Sequence, residues 1–211
     1  MEIKTFTFNP FQENTYVLHD ETNQAVIIDA GCLSDVEKRL LKNYFDENKL
    51  ILSRLINTHL HLDHQFGNKF VCDTFGLSPE ASQEDEFLLD NVVVQARSFG
   101  LPINEDAQVL GAYIIENQDI KFGNSTLKAI HVPGHSPGSM AFYSENDGVL
   151  FAGDVLFQGS IGRTDLPKGN YATLITSITK KLLLLPDSTV VYCGHGPTTT
   201  IGNEKKNNPY L

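Results

Sequence analysis

The stretch that decides the fold is Thr58-His59-Leu60-His61-Leu62-Asp63-His64, which contains four side chains able to bind a metal ion. It follows the run Leu52-Ser53-Arg54-Leu55-Ile56-Asn57, which is typical of a buried strand. Side chains of an extended segment alternate, so we expect His59, His61 and Asp63 to project to one side where the strand ends. Imidazole nitrogens and a carboxylate oxygen suit zinc, and also iron or manganese. The stretch therefore predicts a metal site at a strand end.

The composition is that of an ordinary globular protein, with 211 residues of which 41% are hydrophobic and 20% charged. We expect one domain over residues 1–211. The formal net charge of −10 argues against nucleic acid or an anionic membrane as a partner. Three cysteines without paired spacing favour a reducing compartment over a disulfide framework. The N-terminus lacks a long apolar signal region, and no apolar run approaches ~18 residues, so we expect a cytoplasmic protein.

Periodicity predicts strands and helices along the whole chain. The predicted strands cover residues 3–8, 15–18, 25–29, 52–57, 126–132, 140–143, 149–152 and 189–193, with a short strand near Ile120. The predicted helices cover 33–48, 65–75, 82–100 and 171–185, with one helical turn within 201–211. Ser34 and Glu37 form a capping-box pattern at the first helix. Gly100 and Pro102 are expected to end the third helix, and Pro186 the fourth.

Three later strand ends share one pattern, in which an apolar run is followed by a glycine and then by a potential metal ligand. The three pairs are Gly134-His135, Gly153-Asp154 and Gly194-His195. Glycine lets the backbone approach closely and turn sharply, which a crowded metal centre requires. Any one of these residues alone would more often be a hydrogen-bonded core residue, but four such strand ends favour a shared site. His19 and His131 lack this pattern and are left outside it.

Seven ligands are too many for one tetrahedral ion and indicate a pair of divalent ions, zinc first and iron or manganese as alternatives. The simplest division gives one ion three histidines, namely His59, His61 and His135. Asp63, His64 and His195 would serve the other ion, and Asp154 would bridge the two ions. Two ions about 3.5–4 Å apart can share a water and lower its pKa, which would produce a bridging hydroxide. Asp63 could orient that hydroxide, so the predicted chemistry is metal-assisted hydrolysis.

These ligands resemble the full set of the metallo-β-lactamase superfamily. Within it, the chain is similar to the glyoxalase II-like (hydroxyacylglutathione hydrolase) branch, in its short single-domain bacterial form. Other segments that carry the resemblance are 14–16, 29–31, 133–139, 159–166 and 194–209. The resemblance implies an α/β fold, an αββα sandwich with two mixed β-sheets face to face and helices outside. It also implies that Asp29 positions a metal ligand from behind, and that the substrate is a small-molecule thioester.

Two departures from this branch concern the thiol half of the substrate. The 211 residues end before the C-terminal helical domain that helps full-length enzymes hold glutathione. Arg163 takes the place of a glutathione-binding lysine, and Asp165 that of a tyrosine. We expect the Arg163 guanidinium to bind a substrate carboxylate, and pairing with Asp165 to brace the loop is the alternative. The substrate is thus expected to be S-lactoylglutathione or a related acyl thioester.

Other functions compete with thioester hydrolysis. A persulfide dioxygenase would use one iron held by two histidines and an aspartate, and that family also carries an Arg-Thr-Asp segment after its aspartate. The complete set of seven ligands favours the dinuclear hydrolase. A metal-binding protein without turnover would not need a residue that orients hydroxide. β-Lactamase activity is disfavoured by the lack of an export signal, and nuclease activity by the acidic charge.

Overall fold

The computed structural model describes residues 1–90, 92–101, 103 and 106–211, and these form two compact units. The first comprises Met1–Tyr113 with Phe122–Ser125, and the second comprises Ile114–Lys121 with Thr126–Leu211. Within these described residues, no helix combines the length and the apolar character needed to cross a membrane.

The first unit is built on a mixed sheet. Its strands are β1 (Glu2–Phe8), β2 (Glu13–His19), β3 (Gln24–Ile28), β4 (Ile51–Ile56), β5 (Glu80–Ala81) and β6 (Ala112–Tyr113). They follow one another in the sheet in chain order, antiparallel from β1 to β3 and parallel from β3 to β6. Every residue of β2 is buried, which agrees with a strand covered on both faces.

The helices of the first unit are α1 (Asp35–Asn48), α2 (Leu62–Gln65), α3 (Asn68–Phe75) and α4 (Val92–Ser98). The capping box predicted at the start of α1 is confirmed, because Ser34 and Glu37 each bind the other's backbone N–H. The prediction of one helix over 65–75 is wrong, since the helix is interrupted at Gly67, between α2 and α3. A Cβ at Gly67 would lie 2.4 Å from Cys32 Sγ, so close packing there requires glycine.

The prediction of one helix over 82–100 is also wrong. Gln83–Leu89 forms a 3₁₀ helix, and α4 follows as a separate element. One cause is a contact with a distant segment, because Asp85 is buried and accepts a hydrogen bond from the Leu60 backbone N–H at 3.3 Å. Gly100, at φ 70°, lies just after α4 as predicted, whereas Pro102 lies outside the described residues.

The second sheet has six strands, which are β7 (Asp119–Phe122), β8 (Ser125–His131), β9 (Met140–Ser144), β10 (Val149–Gly153), β13 (Val190–Cys193) and β14 (Thr199–Thr200). Their order in the sheet is β14-β13-β10-β9-β8-β7. β10 and β13 run parallel, while β10 and β9 run antiparallel, so this sheet is also mixed. A separate hairpin comprises β11 (Leu156–Phe157) and β12 (Ser160–Ile161).

Two helices accompany this sheet, α5 (Tyr171–Lys180) and α6 (Ile201–Asn207). The predicted helix over 171–185 is too long, because the chain leaves the α-helix at Lys181 and forms a 3₁₀ turn over Leu182–Leu184. At this point the side-chain ammonium of Lys181 donates a hydrogen bond to the His131 carbonyl at 2.6 Å. α6 is the closing turn predicted within 201–211. Two mixed sheets with helices confirm the predicted α/β class.

Candidate metal centre

The histidine-rich stretch leaves β4 at Ile56 and enters α2 at Leu62, with His61 as the N-cap. The prediction that Asp63 continues the extended register of His59 and His61 is therefore wrong. A helical turn begins between them, and it places Asp63 and His64 at successive helical positions.

This change from extended to helical backbone brings the four potential ligands of the first unit close together. The His59 ring centroid lies 4.7 Å from that of His61 and 4.1 Å from that of His64. His64 Nε2 lies 3.9 Å from Asp63 Oδ2. His59 and His64 are buried, whereas the side chain of Asp63 is 18% exposed and thus open to a ligand.

Asp29 lies behind these rings and accepts hydrogen bonds that orient two of them. It is buried at the end of β3 with φ 54°, a conformation that is uncommon outside glycine. Its carboxylate accepts from the backbone N–H of Thr58 at 2.7 Å and from the Thr58 hydroxyl at 2.6 Å. It also lies 3.0 Å from His64 Nδ1. A carboxylate only accepts, so His64 Nδ1 carries the hydrogen and Nε2 carries the lone pair.

The Thr58 hydroxyl fixes the tautomer of His59 in a similar way. Its hydrogen is given to Asp29, so at 3.0 Å from His59 Nδ1 it must act as the acceptor. His59 therefore also keeps its lone pair on Nε2. Asp29 makes the contacts that its predicted positioning role requires, directly to His64 and through Thr58 to His59.

We expect Asp29→Asn to lower affinity for zinc by about 10–100-fold, because an amide cannot accept all these hydrogen bonds and the two rings lose their orientation. The free energy of unfolding should fall by about 1–3 kcal/mol, because buried donors lose their acceptor. Asp20→Asn is a matched control, since Asp20 is also buried and accepts from the N–H and hydroxyl of Thr22, from Asn124 and from Ser125. Chelator competition should show normal zinc affinity for Asp20→Asn despite similar destabilisation. Equal affinities in the two variants would contradict the role of Asp29.

The second unit brings together the remaining three potential ligands, which follow the ends of β8, β10 and β13. β10 and β13 pair in parallel, and the Gly194 N–H donates to the Gly153 carbonyl at 2.8 Å. Asp154 Oδ2 lies 3.7 Å from His135 Nε2 and 3.5 Å from His195 Nε2. One carboxylate oxygen thus faces both rings at distances that leave room for a metal ion.

The backbone carbonyl of Arg163 orients His135. It lies 2.8 Å from His135 Nδ1, and because a carbonyl only accepts, Nε2 is left with the lone pair that faces Asp154. Gly162 permits this approach: a Cβ there would lie 1.9 Å from the Asp154 carbonyl oxygen and 3.2 Å from His135 Nδ1.

The Arg163 side chain forms a two-pronged ion pair with Asp165, with Nε–Oδ1 and Nη2–Oδ2 distances of 2.7 Å. This pairing lowers the pKa of Asp165 to about 2 and raises that of Arg163. The two side chains are 62% and 68% exposed, so water screens the pair and a substrate could break it at low cost. The observed contact is the one expected from the bracing alternative.

A buried acid near His64 was missed in the sequence. Glu13, Asp29 and His64 are all buried, and each offers one potential ligand atom within 4.8 Å of the others. Burial raises the pKa of Glu13 well above its usual range. The Thr15 hydroxyl donates to Glu13 at 2.9 Å and accepts from the Gly31 N–H at 2.9 Å. Glu13 is the first residue of β2 and its sequence neighbours Gln12 and Asn14 are polar, so no sequence signal marked its burial.

Asn9 is a second residue that sequence reasoning missed. Its side-chain amide donates to the carbonyls of Gly31 at 3.0 Å and Asp63 at 3.1 Å. It therefore fixes the main chain at Asp63 independently of the Asp63 carboxylate.

The donor set fits divalent metal ions. In both units, imidazole rings are held through Nδ1 and present Nε2, and carboxylate oxygens lie beside them. Outer hydrogen bonds of this kind are what metal-binding histidines in proteins usually have. Nitrogen and oxygen donors suit zinc, iron and manganese, and this set alone does not choose among them.

Comparison with known proteins agrees with this chemistry. The family described as Metallo-beta-lactamase superfamily matches residues 8–195, which include all seven potential ligands. The chain belongs to the metallo-β-lactamase superfamily. The family resemblance and the α/β fold predicted from the sequence are thereby confirmed. Members of this superfamily bind metal ions, and the chain is accordingly a metallo-hydrolase superfamily member with histidine and aspartate metal-binding groups.

Relatives within the superfamily cover the whole chain. A hydroxyacylglutathione hydrolase, GloC from Haemophilus influenzae, is 41% identical over 100% of this chain and 98% of its own. The crystal structure of the BLEG-1 B3 metallo-beta-lactamase has a TM-score of 0.89 and 37% identity, covering 100% of this chain and 99% of its own. The protein TTHA1623, solved in a di-iron-bound form, has a TM-score of 0.86 and 36% identity, covering 99% and 100%.

Proposed function

We propose that this protein hydrolyses small-molecule thioesters of the S-lactoylglutathione type with two divalent metal ions, zinc first. The observation that carries the proposal is the tethering of His59, His64 and His135 through Nδ1, which presents Nε2 beside acidic oxygens. Similarity to a hydroxyacylglutathione hydrolase over the full chain supports the thioester, and similarity to a di-iron protein supports two ions.

The proposed division of ligands is the one expected from the sequence. One ion takes a set of three histidines: His59, His61 and His135. Asp63, His64 and His195 would hold the second ion, and Asp154 would contribute to both. We also propose that residues 1–211 work as one domain. The cytoplasmic location and the exclusion of nucleic acid and membrane partners stay predictions.

The chain's own residues would then divide the work of hydrolysis. Bound ions would supply a water of lowered pKa and would polarise the thioester carbonyl. Asp63, with its partly exposed carboxylate, accepts a hydrogen bond from the attacking water and aims it at the carbonyl carbon. Asp29 and Thr58 keep His59 and His64 in one tautomer throughout. The products are a carboxylic acid and a free thiol.

Paired assays test this proposal. The metal-replete protein should hydrolyse S-lactoylglutathione without oxygen uptake, since water supplies the nucleophile and no redox step occurs. Oxygen consumption with glutathione persulfide, together with intact thioesters, would establish the dioxygenase alternative. Metal binding without either reaction would support the non-catalytic alternative.

Arg163→Met separates the two interpretations of the guanidinium. If it binds a substrate carboxylate equally in the ground and transition states, KM for S-lactoylglutathione should rise while kcat stays nearly unchanged. The loss of substrate-binding free energy should be roughly 1.5–3 kcal/mol, the scale of a charged hydrogen bond. The carbonyl that orients His135 belongs to the main chain and is retained in this variant.

Asp165→Asn is the matched control, because it removes the competing partner of Arg163. Under the substrate-binding interpretation, it should lower KM, and thioesters without carboxylates should be indifferent to both substitutions. Equal losses on both types of substrate, or reduced thermal stability alone, would leave Arg163 with a bracing role.

A further inference from the structure

The β11–β12 hairpin contacts or adjoins all three potential ligands of the second unit. β11 begins two residues after Asp154. The Phe157 ring lies edge-on to the His195 ring, with centroids 6.5 Å apart. Beyond β12, the chain reaches Arg163, whose carbonyl binds His135 Nδ1. The position of this hairpin therefore influences Asp154, His135 and His195 together.

The hairpin is too short to hold its own position. β11 and β12 have two residues each, and Gly159 turns between them with φ 65°. Two-stranded hairpins are at best marginally stable in water, even when they are longer. Groups outside the hairpin must therefore fix its tip.

The C-terminal helix α6 and the residue after it supply those groups. Glu204 Oε2 accepts a hydrogen bond from the Gly159 N–H at 2.9 Å. Asn208 Nδ2 donates to the Ser160 carbonyl at 3.0 Å and to Glu204 Oε2 at 2.8 Å. Glu204 is fully buried and Asn208 is 6% exposed, so water does not compete for these contacts. Two adjacent backbone groups of the hairpin tip are thus bound to one buried pair of side chains.

Glu204 is suited to this task because its two carboxylate oxygens face hydrogen-bond donors. Its second oxygen accepts from the Thr199 hydroxyl and from Asn203 Nδ2. Burial raises the pKa of Glu204, but the hydrogen bonds outweigh this effect and lower it below its usual value. Glutamine at this position would turn an NH₂ group toward two of these donors. The site therefore requires a carboxylate.

We propose that Glu204 and Asn208 are positioning residues that clamp the β11–β12 hairpin and thereby fix the metal-binding geometry of the second unit. The inference rests on the proposed function, in which His135, Asp154 and His195 bind metal. Loss of the clamp should weaken metal binding, because Glu204 and Asn208 bind the tip of the hairpin that leads to these ligands.

Glu204→Gln in the full chain is the test, with Thr200→Ala as the matched control. Thr200 is the N-cap of α6 and accepts from the Asn203 N–H at 3.1 Å, so its loss weakens the same helix without removing the clamp. Metal-free protein is examined by hydrogen exchange over residues 156–163, and zinc affinity by chelator competition. Asn208→Ala serves as a milder second variant if Glu204→Gln fails to fold.

We expect faster exchange in the hairpin and about 10-fold or greater loss of zinc affinity for Glu204→Gln, with both unchanged for Thr200→Ala. Exchange as slow as in the wild type would overturn the clamp. Faster exchange with wild-type zinc affinity would overturn its link to the metal centre. Wild-type protein that binds zinc but hydrolyses no thioester would contradict the proposed function alone, since both clamp measurements are independent of turnover.

Discussion

Asp63→Asn is expected to lower kcat for thioester hydrolysis by about 10²–10⁴-fold, the range that a positioned acid–base group contributes. Asparagine retains the shape of the side chain but cannot accept a proton, and its neutral oxygen is a weaker metal ligand. The fold should persist, because the Asp63 main-chain carbonyl remains bound to Asn9 Nδ2. Steady-state kinetics at saturating zinc, with circular dichroism and thermal unfolding, measure these effects separately.

Asp73→Asn provides the control for charge removal. Asp73 lies in α3 and pairs with Lys69 at 2.8 Å, with 62% of its side chain exposed. Activity of this variant should match that of the wild type. If Asp63→Asn kept more than about a tenth of wild-type kcat, Asp63 would not be the residue that orients the nucleophile.

Asp154→Ala is expected to remove both metal occupancy and activity. Its Oδ2 faces two histidine nitrogens, so no single remaining ligand can replace its link between the two proposed ions. Zinc affinity should fall by more than the roughly 10–100-fold that loss of a supporting residue costs. Elemental analysis after dialysis, followed by kinetics with added zinc, tests this result.

Asp119→Asn is the control for Asp154, since Asp119 is an exposed acid in β7. It should retain wild-type zinc content and kcat. Full metal content in Asp154→Ala would contradict the bridging role, even if the activity were lost.

Much of the fold was accessible from local sequence signals. Ser34 and Glu37 predicted the start of α1 because capping is a contact between near neighbours. The break at Gly67 was not accessible, because it depends on packing against Cys32, which is distant in the sequence. The prediction of one helix over 82–100 was wrong for a similar reason, since the buried Asp85 side chain accepts a hydrogen bond from the distant Leu60 N–H.

The candidate ligands were predictable because each follows a strand end, and parallel strands such as β10 and β13 bring their ends together. The groups that orient the ligands were harder to predict from the sequence. The Arg163 carbonyl belongs to the main chain, so no side-chain pattern signals its bond to His135. Glu13 and Glu204 are buried by tertiary packing, and sequence alone gives a glutamate no sign of burial.

Metal content of the purified, metal-replete protein tests the dinuclear hydrolase most directly. Inductively coupled plasma mass spectrometry, with protein concentration from amino-acid analysis, should give about two divalent ions per chain in a preparation that hydrolyses S-lactoylglutathione. Removing the ions with a chelator should abolish turnover, and two equivalents of zinc should restore it. A firm value of one ion per chain, with full activity, would contradict the dinuclear centre.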